Sequence, residues 1–287
     1  MPPETSRLAV DLSGSSIRVL EGNLGGPMRC GSAALPDGAA SGGRIIDPVA
    51  VGQAIKQLLA RTEITTTRAL VAAGDAVATF RVLYLRGLPT DSDVGAAVAR
   101  ELALDPERLE TAWQQVFATE DGCAVYAVAW DRAMVNTITD TVKHAGLDAT
   151  VLELKSASLA RTVADASCVI LDLASDPAEI VLVDRHMPRL WHGFQLEASM
   201  ADDLAAALAP PLRSVIRFYK RGRDSGFGPH SPVLVSGEQG LSAHVLAELE
   251  ELVNQPVQAL AAPPRVPPNV RHSTYLTCLG LIMRRGA

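Results

Sequence analysis

The feature that most constrains this chain is a pattern that occurs twice. Residues 8–22, LAVDLSGSSIRVLEG, resemble residues 168–184, CVILDLASDPAEIVLVD. Each segment is an apolar run that closes on Asp-Leu, a turn of small or polar residues, and a second apolar run, which predicts a β-hairpin. A single hairpin tipped with Asp needs no further explanation, because Asp suits turns. Two of them, with matching flanks about half the chain apart, predict two related lobes facing a cleft. The chemistry of such a cleft follows from its parts. Exposed backbone N–H groups in the turns can cradle phosphate oxygens. Asp11 and Asp172, one at each tip, can hold the waters around a magnesium ion. A third element fits the same site: Val233 to Gly237 is an apolar strand running into Ser236-Gly237, where glycine lets the backbone approach a ligand closely.

The rest of the chain alternates strands and helices, which favours an α/β architecture. Strands are expected at residues 30–35, 68–73, 80–85, 111–117, 124–130, 150–154, 189–194 and 257–260, besides the two hairpins and residues 233–236. Asp47-Pro48 opens a helix to about Arg61, with Asp as cap and Pro in the first turn. Thr90 to Asp93 supplies helix-start chemistry for residues 94–102, and Asp131 caps a helix to His144 that Gly146 ends. Further helices are expected at 156–165, 241–253 and 274–283, and at 200–220 with a break or kink at Pro210-Pro211. Residues 37–44 read as a glycine-rich loop, and Arg217, Lys220, Arg221 and Arg223 as a basic run, ordinarily a solvated helix end and less often a contact for anionic lipid or an acidic partner.

Composition excludes several classes. Asp and Glu total 32 against 26 Lys and Arg, a formal charge of −6, so the chain lacks the basic balance of a nucleic-acid binder. Aromatic residues make up 4%, which leaves a core of Ala, Val and Leu and few platforms for bases. No apolar stretch approaches the roughly 20 residues of a membrane span. Cys30, Cys123, Cys168 and Cys278 show neither metal spacing nor a disulfide framework and are expected as buried, reduced thiols of a cytoplasmic protein. Trp113 and Trp130 are expected in the core or on a subdomain surface.

In this order the motifs resemble those of the actin-like superfamily of two-lobed ATP-binding proteins, and within it the PilM-type proteins of type IV pilus assembly, relatives of the cell-division protein FtsA. The resemblance spans nearly the whole chain. Residues 11–18, from Asp11 through Ser13, Gly14, Ser15 and Ser16 to Arg18, resemble the first phosphate motif. Residues 81–89 resemble the entry to an inserted subdomain, 126–157 the return to the first lobe, 212–219 the helix before the adenosine motif, and 276–281, with Gly280, the final helix. The resemblance implies a duplicated, ribonuclease H-like fold: a first lobe over 1–167 with an inserted subdomain at about 75–148, and a second lobe over 168–287 with a reduced subdomain. It implies ATP and magnesium as ligands, with Asp11, Ser13, Gly14, Ser15, Ser16, Arg18, Asp172, Ala174, Ser175, Ser236 and Gly237 at the nucleotide, and Asp11 and Asp172 holding the metal through water.

The sequence departs from the family at telling places. Ser13 and Ala174 stand where the family has glycine, and Ala for Gly costs about 1 kcal/mol where φ is positive. Arg18 stands where Lys is frequent, and it forks differently. Asp176 and Glu238 add negative charge, Pro177 removes an N–H donor, and a Gly-Gly turn is missing between Gly193 and Met200. Three readings stand at this stage. The first is a non-enzymatic scaffold of the pilus platform with a degenerate nucleotide site, at most a weak ATPase, held at the inner membrane by a PilN-type partner and other assembly components. In it an extended tail lies in a groove of the inserted subdomain lined by Val, Leu and Ala, and self-association is open. The second is an active ATP-dependent small-molecule kinase, with Asp75 or Asp91 as base. The third, an FtsA-like protein, is the weakest, because no amphipathic membrane helix follows the last core helix.

Overall fold

The computed structural model describes residues 6–87, 90–102, 105, 107–119, 121–174, 176–196, 203–221, 226–237 and 242–284. The first duplicated segment folds as β1 (Arg7–Asp11) and β2 (Ser16–Gly22), continued by β3 (Met28–Ala34). The glycine-rich stretch holds a two-residue hairpin, β4 (Ala40–Ser41) and β5 (Arg44–Ile45), which its composition did not announce. Then come α1 (Pro48–Arg61) and β6 (Arg68–Ala73). The Asp47 carboxylate accepts from the N–H groups of Val49 and Ala50 at 3.0 and 2.9 Å, the expected cap.

From here the chain leaves the sheet and returns. β7 (Ala78–Arg86), α2 (Asp91–Glu101), β8 (Leu109–Thr119) and β9 (Gly122–Asp131) build a separate antiparallel sheet in the order β7-β9-β8, with α2 packed on one face. α3 (Arg132–His144), capped by Asp131, and β10 (Asp148–Leu154) close the first lobe, whose sheet runs β10-β6-β1-β2-β3.

After α4 (Lys155–Arg161), the second segment repeats the plan: β11 (Cys168–Asp172), β12 (Ala178–Asp184), β13 (Met187–Phe194), α5 (Leu204–Lys220), β14 (Val233–Ser236), α6 (Ala243–Val253) and β15 (Val257–Ala259). Its sheet runs β15-β14-β11-β12-β13, the same order as the first. In both, an antiparallel three-strand meander is extended by two parallel strands. The repetition reaches single bonds. Leu12 N–H donates to the Ala72 carbonyl at 2.9 Å, and Leu173 N–H to the Ser236 carbonyl at 2.7 Å. The fold is therefore a duplicated, two-lobed α/β fold of the actin-like kind.

Each sheet is covered on both faces. α1 and α3 bury one face of the first sheet, with Val51, Ile55, Leu58 and Ile138 against Leu8, Val10 and Val19. α5 and α6 do the same for the second, with Leu208, Leu212 and Leu249 against Val169, Leu171 and Ile180. The other faces share a helix pair: α7 (Leu276–Ile282) lies on β1, β2 and β6, and α4 packs against α7 and against β12 and β13. Gly280 sits at their crossing, where a Cβ would stand 2.0 Å from the Ser158 carbonyl oxygen.

Three expectations change. α5 runs unbroken through Pro210 and Pro211, because its Leu208, Leu212 and Val215 face is buried in the second core, and that burial outweighs the local penalty. α4 spans Lys155 to Arg161 and ends before residue 165. Cys123, Cys168 and Cys278 are buried thiols, but Cys30 is only half-buried. The turn at Pro89, the helix starts at Met200 and Leu241, and the side chains of Ser175 and Glu238 lie outside the described residues.

Candidate functional site

The two Asp-tipped turns meet at the cleft between the sheets, and each is closed by the same local device. The Asp11 carboxylate accepts from the Ser13 N–H at 2.9 Å and from the Ser13 hydroxyl. The Asp172 carboxylate accepts from the Ala174 N–H at 3.1 Å. In each copy the amide two residues beyond the acid points back at that acid. Gly14 is half-buried, Ser15 is exposed, and Ser16 opens β2. Ser13 and Ala174 both keep negative φ. The strain expected from replacing glycine there is therefore absent, since it arises only at positive φ. Gly237 does need its freedom: φ is 147° there, and a Cβ would stand 2.8 Å from the Cβ of Leu173. Its close approach is to the protein's own second turn. Ser236 is buried beside it, and its hydroxyl makes no hydrogen bond among the described residues.

The strand register explains the charges in the cleft. Asp11 lies opposite Arg18 across β1–β2, and Asp172 lies opposite Glu179 across β11–β12. The first pair is complementary: the Arg18 guanidinium sits 3.4 Å from Asp11 and also donates to the Ala174 carbonyl at 2.8 Å, tying the first turn to the second. The second pair is of like charge, which is destabilising unless a cation joins it. Lys155, at the start of α4, is that cation. Its ammonium lies 2.6 Å from Asp172 and 2.7 Å from Glu179, and the side chain is 1% exposed. Asp11 and Asp172 therefore share one cleft, as the duplication predicts, with the protein's own arginine and lysine among them.

The electrostatics follow from burial and neighbours. Burial alone drives a lysine toward the neutral form, but Asp172, Glu179 and Asp11 outweigh it and hold the Lys155 ammonium above the ordinary lysine range. Burial raises Glu179 despite Lys155. Asp75 is pushed up to about 7, first by burial and then by the charge of Glu179. Its two oxygens accept from the Ser156 N–H, at 2.9 Å, and the Ser156 hydroxyl. Asp91, the other candidate base, opens α2 at the surface of the inserted subdomain. Among the described residues no cluster of three or more His, Cys, Asp or Glu has the geometry of a metal site.

Neither Lys155 nor Glu179 stood out in the sequence. The signal was available in the repeat itself, since aligning the hairpins puts Glu179 where Arg18 stands and leaves an acid pair in need of a cation.

A second concavity, of about 320 Å³, lies where the inserted sheet meets the first lobe. Trp113, Tyr126 and Trp130 line it from β8 and β9, Leu152 and Leu154 from β10, and Met187 from the turn into β13. The low aromatic content suggested walls of Val, Leu and Ala, and Val116, Val128, Leu152 and Leu154 are among them; Tyr126 and Trp130 join them because they alternate onto the same face of β9, whereas Trp113, opposite Ala127 in the register, belongs to the other face of the sheet. β8 pairs with β9 alone among the described residues, so its outer edge is open. A bulge between Gln115 and Phe117 turns Val116 toward the groove. Glu153 at the end of the groove is held by Arg161 and, at 3.0 Å, by Arg284.

No protein-family model matches the chain, and no curated protein is similar to it in sequence. Solved structures are similar in shape. A chain of the PilM-PilN type IV pilus biogenesis complex superposes with a TM-score of 0.76 at 17% identity, over 98% of each chain. The ethanolamine utilization protein EutJ from Carboxydothermus hydrogenoformans gives 0.55 at 13% identity, over 99% of this chain and 90% of that one. The cytoplasmic domain of EpsL, an inner-membrane component of the type II secretion system of Vibrio cholerae, gives 0.52 at 12% identity, over 98% of this chain and 96% of that one. The chain therefore has the two-lobed actin-like fold, and its shape is similar over its whole length to that of a chain of the PilM-PilN complex.

Proposed function

We propose that this chain is a non-catalytic, actin-like scaffold of a type IV pilus or related secretion platform. In this reading it is a cytoplasmic protein held at the inner membrane by the tail of a PilN-type protein, and its nucleotide site is degenerate. One observation carries the reading: the cleft of the fold is occupied by the chain's own ions. A magnesium–nucleotide needs free turn amides and acids open to a hydrated metal. Here the amides of Ser13 and Ala174 are bound to Asp11 and Asp172, and the Lys155 ammonium takes the place beside Asp172 and Glu179 that a cation would have. The residues present do not fit ATP and magnesium. Asp75, the base a kinase would use, has both oxygens taken by Ser156.

The groove supplies the positive half of the reading. An extended peptide can pair with the open edge of β8 and set alternate side chains against Gln114, Val116 and Tyr126. The similar fold in a complex with PilN, and in a type II secretion component, supports this class of partner. The test is calorimetry on the purified chain. The expected result is micromolar binding of the cytoplasmic tail of a PilN-type protein, and no heat with magnesium-ATP. Low-micromolar ATP binding that an Asp11→Ala change removes would overturn the degenerate site, and no tail binding at high micromolar concentration would overturn the scaffold.

A further inference from the structure

The fold leaves one face of α5 unused, and that face has a consistent chemistry. Ala205, Leu208, Ala209, Leu212, Val215 and Ile216 are buried in the second core. Arg213, Arg217 and Arg221, all exposed, follow one another at four-residue spacing from the flank of that face round to its far side. That spacing makes a single row along the helix, with about 6 Å of rise between neighbours. Residues 204–221 contain no Asp or Glu, in a chain whose formal charge is −6. None of the three guanidiniums takes part in an ion pair among the described residues. Lys220 extends the cluster, its ammonium 5.5 Å from the ring centroid of Phe227. The row lines a groove of about 690 Å³ together with Lys220, Ile216 and Val253. Phe218, on the same exposed side, is 67% exposed, more than any other large apolar residue described.

Cations in the last turn of a helix are favoured by its dipole, which accounts for Arg217, Lys220 and Arg221. It does not account for Arg213, two turns further in, nor for a bare phenylalanine among the charges. The arginines are exposed and line an open groove with Ile216 and Val253, and the bare Phe218 next to Arg217 adds apolar area that an acyl boundary takes and an acidic peptide does not. The acidic remainder of the surface turns other faces away from a negative plane and orients this one toward it.

We propose that this face of α5 seats the second lobe on an anionic lipid surface, with the arginine row on the headgroup phosphates and Phe218 at the acyl boundary. Each such cation near an anionic bilayer strengthens binding by about fivefold. The row therefore gives reversible attachment, independent of any peptide in the groove beside β8.

The experiment is flotation of the purified chain with vesicles of phosphatidylcholine containing roughly 30% phosphatidylglycerol, at about 50 mM salt, against pure phosphatidylcholine. The chain is expected to float with the anionic vesicles only and to be released by about 0.5 M salt. The triple change Arg213→Gln, Arg217→Gln, Arg221→Gln is expected to weaken binding about a hundredfold. Phe218→Ser lowers it further, and neither variant shifts the unfolding transition, since every altered side chain is exposed. Three results would overturn the proposal: no binding to anionic vesicles at low salt, equal binding to neutral ones, or a triple variant that floats like the parent chain. Arginine-dependent binding of a poly-glutamate peptide without vesicle binding would also overturn it and give the row to an acidic protein partner.

Discussion

Replacing Lys155 with Met tests the internal ion cluster directly. The ammonium stands 2.6 Å from Asp172 and 2.7 Å from Glu179, with side-chain exposures of 1%, 6% and 4% for the three residues. At an effective dielectric of about 20, each contact carries roughly 6 kcal/mol of Coulomb attraction, most of it offset by the desolvation of the ions. Met keeps the length and the apolar stem but leaves two buried acids facing each other. Breaking a buried pair in this way costs about 3–5 kcal/mol. For lobes of this size that lowers the thermal midpoint by roughly 8–15 °C. The deficit also has a sign in pH. Glu179 is already raised by burial and rises further once the cation is gone. Its folded value then lies well above its unfolded one, so the variant loses stability as pH rises through the folded value and recovers on acidification. Melting curves at pH 7.5 and pH 5 measure both effects. Adding Asp172→Asn and Glu179→Gln to the Met variant is expected to restore most of the loss, because a neutral cluster has no charge left to compensate. A midpoint within about 3 °C of the parent chain at pH 7.5 would show that Lys155 does not hold the acids together.

Three further outcomes follow from features described above. Asp75 titrates near 7 in the fold against an ordinary 3.8, so the parent chain loses stability as pH rises from about 4 to 7; urea curves of Asp75→Asn should lack that slope and show a gain at pH 8 of up to about 4 kcal/mol relative to pH 4, while an unchanged slope would refute the assignment. Gly280→Ala forces a Cβ against the Ser158 carbonyl, 2.0 Å away, and should cost about 1–3 kcal/mol or more in denaturant unfolding, with normal stability contradicting the close helix crossing. Val116→Asp should weaken tail binding tenfold or more, because the bulge turns that side chain to the groove wall; unaltered affinity would move the docking site elsewhere.

What could be read in the sequence was whatever a local rule decides. The hairpins at 8–22 and 168–184, the Asp47 and Asp131 caps and the strand at 233–236 rest on alternation and capping, which act over a few residues. What could not be read depends on register or on distant burial. Lys155 matters only because Glu179 falls opposite Asp172. The groove aromatics are an average minority until the alternation of β9 and its packing against β10 set Tyr126 and Trp130 on one face over the first lobe. Pro210 and Pro211 obey the local rule for ending a helix and are overruled by the core that their helix fills. Ser13 and Ala174 looked strained by analogy with glycine, yet their backbone angles are ordinary.

The crossing of α4 and α7 has a consequence for how the chain is made. The face of the first sheet formed by Ala9, Leu20, Leu70 and Ala72 is covered by Leu279, Leu281 and Ile282 of α7, which follows the whole second sheet in the sequence. Synthesis runs from the N-terminus at about 5–20 residues per second, and domains ordinarily fold as they emerge. Here the sheet built first waits, one face bare, until α7 leaves the ribosome. During those seconds the nascent protein presents a flat apolar surface that a chaperone must shield or a neighbouring chain can capture. Release of a prematurely ended chain, stopped anywhere before residue 276, leaves that surface exposed for good, which makes such products targets for proteolysis rather than shorter working proteins.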